Sequence, residues 1–89
     1  MTLTLQAPVR ADAPLEPGDL ARTVAANALF ASMLDPSVCP SRAQAMEAVR
    51  VALARHGTRG CALRVAAEFG EHPEAAASRM RWALAAVTA

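Results

Sequence analysis

Aromatic side chains are nearly absent from this chain: its 89 residues include two Phe, one Trp and no Tyr. Lysine is missing altogether, so the nine positive side chains are all arginine. Hydrophobic residues make up 54 % of the chain, but many of them are alanine, which leaves few large groups for a core. A chain this short buries only roughly 60–65 % of its unfolded surface. The expectation is one small domain of helices packed through small residues, marginal enough for a second copy or a partner to help. Cysteine is scarce too: Cys39 and Cys61 form no CxxC pair and have no histidine at ligand spacing, which argues against zinc. No run approaches the ~18 apolar residues of a membrane span. The start MTLTLQAPVRADAP lacks the basic opening and apolar block of a signal peptide. The cytoplasm is therefore the expected compartment, where a Cys39–Cys61 disulfide is disfavoured.

Catalytic constellations are missing as well. There are no paired carboxylates at working spacing, no glycine-rich phosphate loop and no nucleophile beside a base. His56 and His72 read as helix-end and turn residues. The sequence therefore predicts a non-catalytic protein with no cofactor and no small-molecule substrate. Nine arginines against eight acids give a net charge of +1, too balanced to imply nucleic acid by charge alone.

The apolar spacing predicts an all-α fold of four helices. Residues 1–18, punctuated by Pro8, Pro14, Pro17 and Gly18, read as a flexible tail. Asp19 is suited to cap a first helix over 19–34. Its last half, Leu29, Phe30, Met33 and Leu34, is apolar nearly all round, so it either crosses the middle of the domain or forms a dimer seam. The loop from Asp35 to Pro40 carries Cys39 and is stiffened by its prolines. Ser41, with Gln44 three residues on, forms a capping-box pattern for a second helix over 41–56, whose inward stripe is Met46, Val49 and Leu53 beside Ala45 and Ala52. Gly57 ends that helix. Thr58 opens a third over 58–69, with Cys61, Val65 and Phe69 turned inward. A fourth over 73–87 begins at Pro73, with Ala76, Met80, Ala83, Leu84 and Val87 inward. Phe69, Val65 and Met80 are expected among the most buried side chains.

Gly70-Glu71-His72 before Pro73 has the size of the turn in a helix-turn-helix, since Gly suits a helix end and Pro a first helical position. Within that pair, Val65-Ala66, Phe69-Gly70, Glu74, Ser78-Arg79-Met80 and Ala83 resemble the DNA-binding region 4 of sigma factors, especially the small alternative ones. Glu71 and Ala77 depart from that pattern, which favours an apolar turn residue and a polar contact residue there. The pattern of Arg59-Gly60-Cys61, Phe69-Gly70, His72-Pro73, Arg79-Met80 and Trp82 is also similar to short proteins of high-GC actinobacteria, and the arginine-only cation set fits such a genome.

Two function classes follow. In the first, favoured by the resemblance, the protein is a DNA-binding transcriptional regulator. Its fourth helix enters a major groove with Ser78 and Arg81 at bases or phosphates, Glu74 at the leading end, and Arg59, Arg64 and Arg79 on the phosphate backbone. In the second, the helices form a protein-interaction module for a sigma factor, RNA polymerase or another regulator. Its contact residues would be Trp82 with Phe30, Met33 and Leu34, because exposed Trp and apolar clusters mark binding surfaces. A homodimer is one way to cover Leu29, Phe30, Met33 and Leu34, and the tail is another.

Overall fold

The computed structural model describes residues 17–88, and these form three helices: α1 (Pro17–Ala31), α2 (Arg42–Glu71) and α3 (Pro73–Thr88). No strand occurs among the described residues. The all-helical expectation therefore holds, while the count of four does not. Most of the expected tail lies outside the described residues, but Pro17 and Gly18 belong to the first turn of α1.

α1 starts two residues earlier than the sequence suggested. Pro17 takes the first helical position, where an absent N–H costs nothing, and Asp19 sits inside the first turn at the positive end of the helix dipole. The helix also stops earlier, at Ala31. Ser32 draws the chain out of helix by donating from both its backbone N–H (3.1 Å) and its hydroxyl (2.6 Å) to the Leu29 carbonyl. The Leu34 N–H then donates to the Ser32 hydroxyl at 3.2 Å. In the following loop the Asp35 carboxylate accepts from the Ser37 N–H at 2.9 Å, and this contact is the main reason its pKa lies below the usual value.

α2 begins with the expected capping box. The Gln44 N–H donates to Ser41 Oγ at 3.1 Å, and the Ser41 N–H to Gln44 Oε1 at 2.8 Å. The two helices expected at 41–56 and 58–69 are joined into this one element. Gly57 breaks its regularity with φ 71° and ψ 170°, a backbone region open essentially to glycine only. The break is sharp. Cys61 Sγ lies 3.7 Å from the Ala52 carbonyl oxygen, whereas residues nine apart on a straight helix are separated by about 13 Å along its axis. Helical bonding resumes at once beyond Gly57, so a kink replaces the expected gap. Gly60 lies inside the bend, where an added Cβ would come within 3.0 Å of the His56 Cβ.

The predicted three-residue turn is likewise absent. α2 continues through Gly70 and Glu71, and His72 alone separates it from α3. His72 serves both helices by backbone: its N–H donates to the Glu68 carbonyl at 2.7 Å, and its carbonyl accepts from the Ala76 N–H at 2.8 Å. Gly70 does not adopt a left-handed conformation; among the described residues only Gly57 has positive φ. The last two helical segments therefore do not form the helix-turn-helix pair that the spacing suggested.

The core gathers around the C-terminal half of α1, which touches both other helices. Ala26, Ala28, Leu29 and Phe30 are buried there against Ala45, Val49, Ala52 and Cys61 of α2 and Ala76 and Ala83 of α3. Leu29 and Cys61 are the largest fully buried side chains. Of the three side chains expected at the centre, Val65 and Met80 only line the core, and Phe69 remains 38 % exposed. Its ring instead stacks on Phe30 at the edge, with centroids 6.2 Å apart. Six of the ten buried hydrophobic positions are alanine, so close helix approach replaces bulk at the centre.

Candidate interaction surface

Two residues assigned by sequence to opposite functional roles meet inside the fold. Arg79 is half-buried, and its guanidinium donates to three backbone carbonyls: Phe30 (2.7 Å, from Nε), Ser32 (2.9 Å) and Leu34 (3.1 Å, both from Nη2). It also lies over two rings, 5.7 Å from the Phe30 centroid and 5.0 Å from that of Trp82. The C-terminal carbonyls of a helix lack intrahelical partners and carry partial negative charge, so a guanidinium suits them. Burial lowers the Arg79 pKa, while the charges of Asp35 and Glu68 oppose that shift. Arg79 thus caps α1 from within, and its donors are not directed at an external phosphate.

Phe30 and Trp82 are also taken up by the fold. Phe30 is 4 % exposed, which corrects the expectation that it forms a partner contact. Trp82 is half-buried against the core, and its indole N–H is buried with no hydrogen-bond partner. The inward face of α3 is rotated from the predicted stripe toward Arg79 and Trp82, leaving Leu84 40 % exposed. Arg59, Arg64, Glu74, Ser78 and Arg81 are exposed as expected. Arg64 borders a cleft of about 330 Å³ with Phe30, Ser32, Glu68 and Arg79. Arg59 and Arg81 are not among its lining residues, so the expected DNA-contact set does not gather around that cleft.

The remaining partner candidates come together elsewhere. Met33 is 89 % exposed just beyond α1 and lies beside half-buried Leu34. With Ala48, Val51, Arg55 and His56 of α2 they line a largely apolar groove of about 270 Å³. A second groove of about 440 Å³, lined by Leu34, Ala43, Gln44, Glu47 and Ala48, shares Leu34 and Ala48 with the first. Val51, on the first groove, is 46 % exposed. Glu47 forms an exposed ion pair with Arg50, and Arg55 reaches the Met33 sulfur at 4.0 Å. Ala48, Val51 and Arg55 were not picked out as contact residues by sequence. The signal was present, because Glu47, Val51 and Arg55 recur every four residues on a helix whose core stripe is Ala45, Val49 and Ala52.

Other chemistry is not evident at these positions. Among the described residues no three His, Cys, Asp or Glu side chains gather as a potential metal site. No described helix is long and apolar enough to cross a membrane. Both cysteines are free, Cys39 exposed and Cys61 buried, and burial raises the Cys61 pKa. No family model matches the chain, and no match is found among curated proteins or solved structures.

Proposed function

We propose that this chain is a small, non-catalytic regulatory protein that works as a protein-interaction module, with its contact surface along the groove between Met33 and Val51. The observation that carries this reading is an exposed apolar surface bordered by charged side chains on an otherwise small fold. Contiguous exposed apolar groups edged by polar residues are characteristic of interaction sites. Met33 contributes most, since its side chain stands almost wholly in solvent. The helix α2 along one side of the groove is a rigid wall, which favours recognition of a preformed helical or extended partner surface.

DNA binding is the second reading, supported by Arg59, Arg64 and Arg81, which are exposed and make no ion pair among the described residues. It loses support from the missing three-residue turn and from the commitment of Arg79 to α1. A photo-crosslinking amino acid at position 51 of the full chain, activated in the host cell, separates the two. Protein adducts at that site are the expected result. Salt-dependent retention on DNA that weakens with Arg59→Ala, Arg64→Ala or Arg81→Ala, together with no protein adduct, would overturn the interaction reading.

A further inference from the structure

We infer that the partner of this surface is a second copy of the same chain, with two α2 helices crossing antiparallel over Val51 about a two-fold axis. The inference rests on the interaction reading above and names its partner. Its basis is a charge pattern that complements itself.

Glu47, Val51 and Arg55 lie at intervals of four residues on the regular part of α2 before Gly57. Each interval is about one helical turn and ~6 Å of rise. The acid and the base are therefore equally far from Val51, on opposite sides of it. A two-fold axis through Val51 brings Glu47 of one copy level with Arg55 of the partner subunit, and the reverse pair forms by symmetry. An isologous contact requires such a self-complementary patch. A parallel arrangement would instead oppose like charges at both positions.

The surroundings suit this contact. Ala48 is small and lines the groove with Val51, and Ala43 lines the neighbouring groove that Ala48 shares, so a second helix can come close. Met33 projects at the edge of the groove and supplies a flexible apolar side chain to fill it from across the axis. The Glu47–Arg50 pair does not compete strongly, because it is solvent-exposed and a carboxylate has a second oxygen for another arginine. Arg55 makes no ion pair in the single chain, its one polar contact being the weak one to the Met33 sulfur. A further groove on the opposite flank of α2, lined by Leu20, Val24, Val49 and Leu53, has no charged side chain to define an occupant.

Sedimentation of the full chain at micromolar concentration tests the inference. The native protein is expected to be a dimer. Glu47→Arg and Arg55→Glu should each weaken dimerisation by about tenfold or more, because like charges then meet at both symmetric contacts. Circular dichroism should show both variants fully helical, since the two side chains are exposed. Mixing the two variants in equal amounts should restore a dimer, because every contact in the heterodimer again joins unlike charges. A strictly monomeric native protein, or a dimer whose mixed variants do not reassociate, would overturn the inference. Crosslinks from position 51 that reach only a different polypeptide would also overturn it, while leaving the interaction reading standing. A monomer without any protein adduct would remove both.

Discussion

Arg79 Nε donates to the Phe30 carbonyl at 2.7 Å while the same guanidinium lies 5.7 Å over the Phe30 ring. One side chain thus closes the end of α1 and packs on its last large residue. Arg79→Ala would leave the Phe30, Ser32 and Leu34 carbonyls without this donor and should lower stability by about 2–4 kcal/mol. Arg79→Lys should recover only part of the loss, since an ammonium cannot present a planar fork to separate carbonyls or stack as flatly on the rings. Denaturant unfolding of the three proteins checks the order. Equal stability of the lysine variant and the native protein would refute the capping role.

Trp82 contributes apolar packing and a ring face for Arg79, but its N–H is buried without a partner. An unsatisfied buried donor costs about 1–3 kcal/mol. Trp82→Phe removes that donor and keeps much of the ring, so its stability should stay within about 1 kcal/mol of native. Trp82→Ala should cost about 2–4 kcal/mol by losing packing and the cation–π contact. Thermal unfolding distinguishes the pair, and a phenylalanine variant as unstable as the alanine one would count against this account.

The kink at Gly57 depends on a conformation that side chains resist. Gly57→Ala should cost about 1–3 kcal/mol although open space surrounds the missing Cβ. Gly57→Asn should be no better, because asparagine tolerates the ordinary left-handed region rather than ψ near 170°. A rescue by asparagine in chemical denaturation would mean that the bend is an ordinary helix cap.

The two thiols should differ in reactivity. Cys39 is exposed and should react promptly with a disulfide reagent, whereas Cys61 should react only as the protein opens. The pH dependence follows from the raised Cys61 pKa. The unfolded chain loses this proton first, so the stabilising effect of keeping the thiol neutral is full below the ordinary value of 9.0. It declines as pH rises from there toward the higher folded-state value. The melting temperature should therefore fall in alkaline solution, and Cys61→Ala should show a shallower fall.

Core substitutions should follow burial in the folded chain. Leu29→Ala should cost about 2–5 kcal/mol, because Leu29 is fully buried among alanines that can collapse little around a void. Phe69→Ala should cost less, about 1–2 kcal/mol, since its ring is partly in solvent and meets Phe30 at the edge. Paired urea titrations would expose a reversed order.

Helical class, the Ser41–Gln44 capping box, the burial of Cys61 and the loop position of Cys39 were all legible in the sequence. Each depends on contacts within a few residues or on one-face periodicity. The break between the second and third expected helices was read correctly at Gly57, where the backbone leaves helical geometry, and the structure carries it as a kink within α2. A glycine signals an unusual backbone without revealing whether a loop or a kink follows. The exposed surface was legible only in part: Met33 and Leu34 stood out as excess apolar residues, while Val51 was hidden by its position just outside the core stripe.

By itself the sequence determined the helical class, the Ser41–Gln44 cap and the scarcity of large core groups, because propensity, capping and alanine content act locally. Tertiary structure decided which side of each helix became interior. Trp82 and Arg79 lie three residues apart on one side of α3, and nothing local assigns that side to the core instead of to solvent. The deciding partners are the carbonyls at the end of α1, 45 to 49 residues earlier in the chain. Once packing brings those unpaired acceptors beside α3, a guanidinium that satisfies them and rests on two rings is more favourable inside than in water. That contact turns the Arg79 and Trp82 side of α3 inward.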